Sequence, residues 1–523
     1  MYIGDYLGRR EIYSPDTLAI IDAGKSPELR LTYKEWNRRV NRLANWLKDT
    51  VGVGYRDRVA ILAQDGIEHL DLFHACSKLG AIHTALNWRL HWRELIAIIE
   101  DTQPKAILFS DKFKDSITEL QNATRDTQHA IPFYLHLDGV GLEGSLEYES
   151  AFGSAPDAPV TYEKLTEEDI ACLLFTGGTT GLPKGAQISH RQICWNVLNT
   201  VIHDLDHDDI YLCVFPLFHA GGLFAYVSSQ VVFGNTTILT KQFDPVQVLE
   251  LIEREKVTVF AAVPTMYQML TQAPNFKTAD MSSLRFCTSG GAPLPVPLIE
   301  QYTREKGIRF KQGFGMTEYG PGLFALPPED AIRKAGSIGR PNFFIDVRVL
   351  DENNQPLGPN QPGELVLKGP SGCSGYWNNP EASAAVLDED GWFHTGDIVE
   401  YDEEWYFYVR DRKKDMFISG GENVYPVEIE NVLFKHPAVH MCGGIGVPDE
   451  KWGEVGKACV VLKPGQTATE DELMNLMQEN LARYKVPKSV TFMDALPLSS
   501  MGKILKRELR EQFTTRTQTS PGV

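Results

Sequence analysis

The feature that most constrains the fold is an alternation of short apolar runs with amphipathic segments near the N-terminus. Apolar runs at 59–63, 81–86 and 106–109 have the length and character of buried strands. The segments 68–79 and 92–100 between them have helical periodicity. Because strands that alternate with helices are typical of a parallel sheet covered by helices, the sequence predicts an α/β fold.

The alternation resumes after a loop-like stretch over 139–160, which indicates a second α/β subdomain similar to the first. Its predicted strands are 171–175, 211–215 and 257–263. Two helices have clear end signals. Asp244 followed by Pro245 suits a helix start, because Asp can cap free N–H groups and Pro fits the first turn. Gly307 suits the left-handed end of a helix that starts near Pro295.

The C-terminal part of the chain has a different pattern. From 346 to 410 the helical signal fades and Gly, Pro and Asn separate short runs, which predicts a β-rich subdomain. After residue 411 we predict a small α+β unit with helices at 428–435 and 470–484 and a strand at 459–462. The charged stretch 411–415 is the predicted boundary between an N-terminal domain, 1–411, and a C-terminal domain, 412–523. The polar residues from about 514 onward are expected to fray.

Size and composition favour a folded protein of enzyme size. The 523 residues exceed one ordinary core, and 43% of them are hydrophobic. A net charge of -18 argues against nucleic acid as a partner, since general nucleic-acid binders need surplus cations. The eight cysteines form no CxxC pair, which indicates reduced thiols. The sequence shows neither a leader-like N-terminus nor a run of roughly 20 apolar residues, so we expect no membrane span and a cytoplasmic location.

A glycine- and threonine-rich loop follows the predicted strand 171–175. It reads Thr176-Gly177-Gly178-Thr179-Thr180-Gly181-Leu182-Pro183-Lys184-Gly185. The glycines let the backbone approach an anion, the hydroxyls add donors and Lys184 adds a positive charge, so phosphate is the expected ligand. The Walker signature requires GxxxxGK followed by Ser or Thr. Because Lys184 follows Pro183 and precedes Gly185, a P-loop NTPase is excluded.

Six motifs in order resemble those of the adenylate-forming superfamily, in its acyl- and aryl-CoA synthetase branch, over nearly the whole chain. They are the loop above, Pro216-Leu-Phe-His-Ala-Gly-Gly222, Gly313-Phe-Gly-Met-Thr-Glu318, Thr395-Gly-Asp397, Arg412-Lys-Lys-Asp-Met-Phe-Ile-Ser-Gly-Gly-Glu-Asn-Val424 and Pro497-Leu-Ser-Ser-Met-Gly-Lys503. The resemblance implies that ATP and a carboxylic acid give an acyl-adenylate and pyrophosphate. Coenzyme A then gives acyl-CoA and AMP.

The resemblance also implies a nucleotide site. Gly313, Phe314, Gly315 and Met316 would line it, with Phe314 against adenine where the family usually has Tyr. Thr317 would lie near the α-phosphate, and Glu318 would help to hold Mg²⁺, a hard cation suited to carboxylate oxygens. The stretch that flanks adenine and the acyl group in the family corresponds to Gly290, Gly291, Ala292 and Pro293.

Other roles carried over by the resemblance concern the sugar and the reacting groups. Asp397 would bind both ribose hydroxyls, with Arg412 as its partner. Lys503 would be the catalytic lysine, bridging the carboxylate and the α-phosphate. His219 would lie at the acyl pocket and shift as the second half-reaction begins. Lys184 would hold the β- and γ-phosphates.

For the second half-reaction, the resemblance implies a mobile C-terminal domain that swings about a hinge at Lys414. Gly420 and Gly421 would let the pantetheine arm pass the backbone. Trp452 resembles the aromatic residue beside the CoA nucleotide in some ligases, and Arg483 and Lys485 could meet its phosphates. Each of these three also has an ordinary surface interpretation.

Two alternatives stay open at this point. One is an acyl-AMP ligase that loads a carrier protein, and the other, from a different class, is a catalytically silent acyl- or nucleotide-binding regulator. Intact Lys184, Glu318, Asp397 and Lys503 argue against the second. The acid, whether aryl, medium-chain, branched or a long-chain substrate of fatty acid metabolism, cannot be read from the sequence. A homodimer is one option for the assembly.

Overall fold

The structure is a computed structural model that describes residues 4–125, 127, 129–176, 183–201, 203–412, 415–419, 422–449, 452–481, 483–498 and 504–514. The chain divides into two compact units. The first comprises Met1–Val347 and Leu367–Phe393, and the second comprises Arg348–Val366 and His394–Val523. The predicted boundary at 411/412 and the hinge at Lys414, which lies outside the described residues, stay predictions.

The strands of the described residues, numbered in chain order, are β1 (Leu18–Asp22), β2 (Leu29–Thr32), β3 (Arg58–Leu62), β4 (Ile82–Ala85), β5 (Ala106–Phe109), β6 (Phe133–His136), β7 (Leu146–Glu147), β8 (Ile170–Thr176), β9 (Lys184–Ser189), β10 (Ile210–Cys213), β11 (Thr236–Leu239), β12 (Val259–Ala262), β13 (Phe286–Gly290), β14 (Phe310–Phe314), β15 (Phe324–Leu326), β16 (Arg340–Pro341), β17 (Asp346–Leu350), β18 (Gly363–Lys368), β19 (Phe393–Tyr401), β20 (Phe407–Arg412), β21 (Phe417–Ser419), β22 (Glu422–Val424), β23 (Val439–Asp449), β24 (Gly453–Leu462) and β25 (Ser489–Phe492).

The helices are α1 (Tyr6–Tyr13), α2 (Tyr33–Trp46), α3 (Ile67–Leu79), α4 (Trp92–Thr102), α5 (Lys114–Thr124), α6 (Tyr148–Gly153), α7 (His190–Val201), α8 (Ala220–Gly222), α9 (Ser228–Phe233), α10 (Pro245–Glu255), α11 (Pro264–Gln272), α12 (Val296–Lys306), α13 (Pro380–Ala384), α14 (Pro426–Leu433), α15 (Glu470–Asn480) and α16 (Lys506–Thr514). A wide π-type turn, Leu223–Val227, joins α8 to α9, and a 3-10 turn spans Thr317–Tyr319. Among the described residues, no helix is long and apolar enough to cross a membrane.

Two mainly parallel sheets form the first unit and confirm the predicted α/β class. One has the strand order β7-β6-β5-β3-β4-β8-β9, and the other has the order β16-β15-β14-β13-β12-β10-β11-β1-β2. The largest apolar cluster contains Val59 of the first sheet, Tyr211 of the second, and Trp36, Leu70 and Val231 from helices. The two sheets therefore share one core, with α2, α3 and α9 contributing to it.

The predicted grouping of strands into subdomains was wrong. We assigned the strand at 171–175 to the second α/β subdomain, but β8 pairs in parallel with β4 of the first sheet. Conversely, β1 near the N-terminus pairs in parallel with β11 of the second sheet. Both β1 and β8 are apolar runs of the kind found in either sheet, and such a run does not specify its partner strand. That choice depends on packing between residues far apart in the chain.

Two local predictions were also wrong, one for the stretch 139–160 and one for the end of α15. The stretch 139–160 contains β7 and α6, because the Glu147 side chain accepts hydrogen bonds from the backbone N–H of Ser150 and thereby caps α6. Burial of Tyr148 and Phe152 supports this short helix. The short helix α13 lies in the region predicted to be β-rich, but four strands of that region form one sheet, so the prediction of a β-rich subdomain is confirmed. Helix α15 ends at Asn480, not 484, because Leu481 adopts an extended backbone conformation.

In the rest of the chain, β17, β18, β19 and β20 form a four-stranded sheet. The C-terminal α+β part has the strand order β22-β21-β24-β23, with β25 pairing with β24. Helices α14 and α15 bury Ile429, Leu433, Leu473 and Met477 in one apolar cluster with this sheet. The small α+β unit predicted from the sequence is therefore present.

Candidate functional site

The phosphate-binding loop predicted from the sequence connects two antiparallel strands, β8 and β9. Thr176 and Lys184 stand opposite each other in the ladder, and the Thr176 hydroxyl donates to the Lys184 carbonyl at 3.5 Å. Both residues are partly exposed. The predicted loop residues between them lie outside the described residues; they are Gly177, Gly178, Thr179, Thr180 and Gly181.

The second predicted segment follows β13 at its carboxyl end, where parallel sheets commonly present ligand sites. Gly291 has a φ of +83°, a left-handed conformation that favours glycine. Gly290 lies beside Gly313 of the adjacent strand. Gly291, Ala292 and Pro293 are exposed, so this turn is open to a ligand.

The third segment begins at the end of β14. Phe314 is partly exposed and packs edge-to-face on Phe324, with 5.8 Å between the ring centres. A Cβ at Gly315 would lie only 2.0 Å from the Pro321 carbonyl oxygen, so this position requires glycine. Met316 is the residue before the 3-10 turn and is partly exposed.

Thr317 and Glu318 occupy that 3-10 turn, and each is only 7% exposed. The Gln192 amide donates to the Thr317 carbonyl at 3.3 Å, and the Cys373 N–H donates to the Glu318 carbonyl at 2.6 Å. The hydroxyl of Tyr376 donates to Glu318 Oε1 at 2.8 Å. A carboxylate is therefore fixed in orientation at the position predicted to hold Mg²⁺.

The donor chemistry of Glu318 fits Mg²⁺, which prefers carboxylate oxygens and usually takes its other ligands from phosphates and water. Across the part of the chain that the structure describes, no group of three or more His, Cys, Asp or Glu side chains could hold a metal ion.

Sequence reasoning missed Tyr376. Its ring lies under the Lys184 ammonium, with 5.5 Å from Nζ to the ring centre, while its hydroxyl binds Glu318. One aromatic side chain thus contacts two residues predicted to handle phosphate and metal. No local signal in Gly375-Tyr376-Trp377 reveals a partner 58 positions away in the chain.

His219 is partly exposed and stands directly before α8, where its Nδ1 accepts from the Gly221 N–H at 3.3 Å. Two residues earlier, the Leu217 N–H donates to Asp65 Oδ1 at 2.7 Å. Burial raises the pKa of the Asp65 carboxyl from 3.8 to about 7. The loop that carries His219 is therefore anchored by a carboxyl group from the other sheet of the first unit.

A second feature missed in the sequence is a pair of hydroxyls, one on β13 and one on the π-type turn Leu223–Val227. The hydroxyls of Tyr226 and Thr288 are 2.7 Å apart. Thr288 and Gly290 project from the same face of β13, because side chains alternate along a strand. A Cβ at Gly313 would be in van der Waals contact with the Thr288 methyl group at 3.9 Å, and a Cβ at Gly290 would lie 3.4 Å from the Gly313 carbonyl oxygen. The two glycines therefore leave the strand surface beside the hydroxyl pair without side chains.

In the second unit, Asp397 on β19 is 2% exposed and stands opposite Arg412 of β20 in the antiparallel ladder. The Asp397 N–H donates to the Thr395 hydroxyl at 3.0 Å. Strand pairing therefore brings these two predicted residues together. Their binding of ribose stays a prediction.

The residues predicted to bind CoA are also in the second unit. Trp452 is 42% exposed, and Arg483 is exposed. Lys485 forms an ion pair with Glu428 at 2.9 Å. Gly420, Gly421, Lys414 and Lys503 lie outside the described residues. The assignments to CoA, to the hinge and to catalysis stay predictions.

Comparisons with known proteins agree with this arrangement. The family described as AMP-binding enzyme matches residues 11–377, and the AMP-binding enzyme C-terminal domain matches residues 428–503. The feruloyl-CoA synthase of Amycolatopsis sp. is 41% identical over 98% of this chain and 99% of its own length. The long-chain-fatty-acid–CoA ligase FadD13 of Mycobacterium tuberculosis is 37% identical over 98% of both chains.

Similarity to solved structures is equally extensive. The ATP-bound MatB of Rhodopseudomonas palustris superposes with a TM-score of 0.87 at 32% identity, covering 98% of this chain and 99% of that one. Relatives that match over their full length are named CoA synthetases or ligases, which favours the CoA ligase interpretation over carrier-protein loading and over a silent regulator. The chain therefore belongs to the AMP-binding enzyme family and is an AMP-forming acyl-CoA synthetase.

Proposed function

We propose that this synthetase activates hydroxylated aromatic carboxylic acids. The observation that carries the proposal is the lack of side chains at Gly290 and Gly313, on the strand surface beside the Tyr226–Thr288 hydroxyl pair. Two strand positions without side chains can admit a flat ring, and paired hydroxyls can donate to and accept from a polar ring substituent. The acyl group named for the Amycolatopsis relative, feruloyl, is of this class.

Adenylation would use residues from the predicted site. The carboxylate attacks the α-phosphorus of ATP and pyrophosphate leaves, so no general base is needed. Lys503 would offset the repulsion between the two anions in the transition state. Lys184 and the loop beginning at Thr176 would hold the β- and γ-phosphates, and Asp397 would orient the ribose.

Mg²⁺ belongs to the same proposal. Bound with ATP, it would neutralise negative charge on the phosphate oxygens. Glu318 would hold it, and Thr317 would lie near the α-phosphate. The 2.8 Å hydrogen bond from Tyr376 keeps the Glu318 carboxylate in a single orientation, which suits a metal ligand.

For the second half-reaction, we propose that CoA is the acceptor and that the thiol attacks the acyl carbonyl with AMP as the leaving group. Lys414 would be the hinge for a change of conformation. Gly420 and Gly421 would flank the pantetheine arm, and Trp452 would contact the nucleotide of CoA. Arg483 and Lys485 would neutralise its phosphates.

An acid panel tests the substrate class. AMP and pyrophosphate release would be measured with hydroxylated cinnamic acids, the same acids without the hydroxyl, and straight-chain acids of matched carbon number. We expect hydroxylated aromatic acids to give the highest kcat/KM. Higher kcat/KM for the straight-chain acids would exclude this substrate class.

The variant Thr288→Val tests the hydroxyl pair itself, because Val has nearly the shape of Thr without its hydroxyl. We expect roughly a 10-fold loss of kcat/KM for the hydroxylated acid and little change for the acid without the hydroxyl, reflecting one lost hydrogen bond. Equal losses for both acids would indicate general damage to the pocket, not recognition of the substituent.

A further inference from the structure

Tyr376 is the shared neighbour of Lys184 and Glu318. The ring lies 5.5 Å from Lys184 Nζ, within the range of a cation–π interaction, and the hydroxyl lies 2.8 Å from Glu318 Oε1. Tyr376 is only 8% exposed. It therefore connects the end of the seven-stranded sheet with the 3-10 turn that follows β14 of the other sheet.

Backbone contacts fix Tyr376 in this place. The segment 373–377 runs beside β9, with Gln187 N–H donating to the Gly375 carbonyl at 3.0 Å and Trp377 N–H donating to the Gly185 carbonyl at 2.7 Å. The Tyr376 N–H itself donates to the Ser383 hydroxyl at 2.9 Å. Since the backbone on both sides is hydrogen-bonded, the ring has little freedom to leave its two contacts.

We propose that Tyr376 is a positioning residue that couples metal binding at Glu318 to phosphate binding at Lys184. Its hydroxyl donates a hydrogen bond to Glu318 Oε1 and so orients the remaining lone pairs of the Glu318 carboxylate toward a metal. Its ring keeps the Lys184 ammonium close to the same place. The inference rests on the proposed roles of Glu318 and Lys184, and it assigns Tyr376 no contact with substrate.

The two contacts of Tyr376 can be removed separately. Tyr376→Phe keeps the ring under Lys184 and removes the hydroxyl bound to Glu318, whereas Tyr376→Leu removes both. Tyr319→Phe is the matched control, because the Tyr319 hydroxyl is also buried in the first unit but donates to the Leu367 carbonyl at 3.0 Å. Thermal unfolding midpoints of all variants would establish that each one folds.

Metal binding gives a readout that does not depend on turnover. Mn²⁺ would be titrated into the protein saturated with α,β-methylene-ATP and followed by electron paramagnetic resonance. We expect Tyr376→Phe to weaken Mn²⁺ binding roughly 10-fold, the usual effect of losing a partner that orients a metal ligand. The Mg²⁺ concentration for half-maximal pyrophosphate release should rise in parallel, with kcat at saturating Mg²⁺ nearly unchanged. Tyr319→Phe should match the parent protein.

Loss of the Tyr376 ring should also raise the KM for ATP. We expect Tyr376→Leu to raise the KM for ATP about 3-fold beyond the value for Tyr376→Phe, as estimated for one cation–π contact. Equal KM values for the two variants would contradict the role of the ring in holding Lys184.

Glu318→Gln separates failure of the inference from failure of the proposed function. If Glu318→Gln weakens Mn²⁺ binding and Tyr376→Phe does not, Tyr376 does not position the carboxylate and the inference is wrong. If Glu318→Gln binds Mn²⁺ like the parent, Glu318 is not a metal ligand. The metal-binding role proposed for Glu318 and the inference about Tyr376 are then both wrong. Equal weakening of Mn²⁺ binding in Tyr376→Phe and Tyr319→Phe would also overturn the inference, because loss of either buried hydroxyl would then have the same effect.

Discussion

The two compact units carry their predicted site residues in different ways. In the first unit, Thr317 and Glu318 are buried and their backbone and side-chain atoms make hydrogen bonds with residues of the same unit. In the second unit, Trp452 and Arg483 are exposed. A buried, hydrogen-bonded site has its geometry before ligand arrives, whereas exposed residues depend on the ligand for much of their contact. We therefore expect substitutions at the buried residues of the first unit to act on adenylation, and substitutions at the exposed Trp452 and Arg483 to act on thioester formation.

The largest effect should come from Lys503→Ala in the second unit. Loss of a positive charge that stabilises the transition state should reduce acid-dependent pyrophosphate release on the order of 100- to 1000-fold. Thioester formation from preformed acyl-adenylate and CoA should be largely retained. Rapid-quench assays of each half-reaction would measure both.

The control for Lys503→Ala is Lys506→Ala. In the parent protein Lys506 forms a 3.0 Å ion pair with Glu430. We expect Lys506→Ala to leave both half-reactions intact. Equal loss of both half-reactions in Lys503→Ala would contradict a role for Lys503 that is confined to adenylation.

A smaller effect is expected for Trp452→Ala. Removing an aromatic contact with the nucleotide of CoA should raise the KM for CoA about 5-fold, while pyrophosphate release from acid and ATP stays unchanged. Steady-state assays with varied CoA would measure this. Trp405→Ala is the matched control, because Trp405 is a comparably exposed tryptophan of the second unit. An equal increase for both variants would exclude a specific role for Trp452.

A separate effect concerns the pH dependence of stability and depends on Asp65 of the first unit. The pKa of Asp65 is raised by burial from 3.8 to about 7, so the folded protein binds this proton more tightly than the unfolded chain does. Ionisation of Asp65 therefore costs stability, and the cost grows as pH rises from about 4 to 7. Asp65→Asn keeps an oxygen that can accept from Leu217 N–H and cannot ionise.

We expect the stability of Asp65→Asn relative to the parent protein to increase across that pH window by about 4 kcal/mol, the equivalent of a shift of about three pKa units, and to level off above it. Urea unfolding at several pH values would measure the difference. Asp280→Asn is the control, because hydrogen bonds with Ser282 lower the pKa of Asp280 to about 2, outside the window. A pH-independent difference for Asp65→Asn would exclude a raised pKa.

Local features of the fold could be predicted from the sequence because their causes are local. Asp244 accepts from the Gln247 N–H at 2.8 Å and Pro245 begins α10, while Gly307 ends α12 with a φ of +68°. Each signal lies within a few residues of its effect. Sheet membership of β1 and β8 could not be predicted, because it depends on packing with strands that are distant in sequence.

The candidate site also contains some residues that could be predicted from the sequence and others that could not. Glycine-rich segments such as 290–291 and 313–315 are visible in the sequence because the backbone conformation or close packing needs glycine. Tyr376 and Tyr226 act through partners on other elements, Glu318 and Thr288, and a lone tyrosine carries no local signal of such a partner. The resemblance to a family identified residues that chemistry requires but not the side chains that orient them.

The position of β1 in the nine-stranded sheet bears on synthesis of the chain at the ribosome. Ile20 of β1 pairs with Thr237 of β11, so β1 leaves the exit tunnel long before its parallel neighbour has been translated. During that interval β3, β4 and β5, which pair with one another, can already assemble. In the nascent chain β1 can pair with β2, but its other edge stays without a partner until β11 is made. Folding of this sheet cannot be completed by any N-terminal fragment that stops before Pro341, the end of β16.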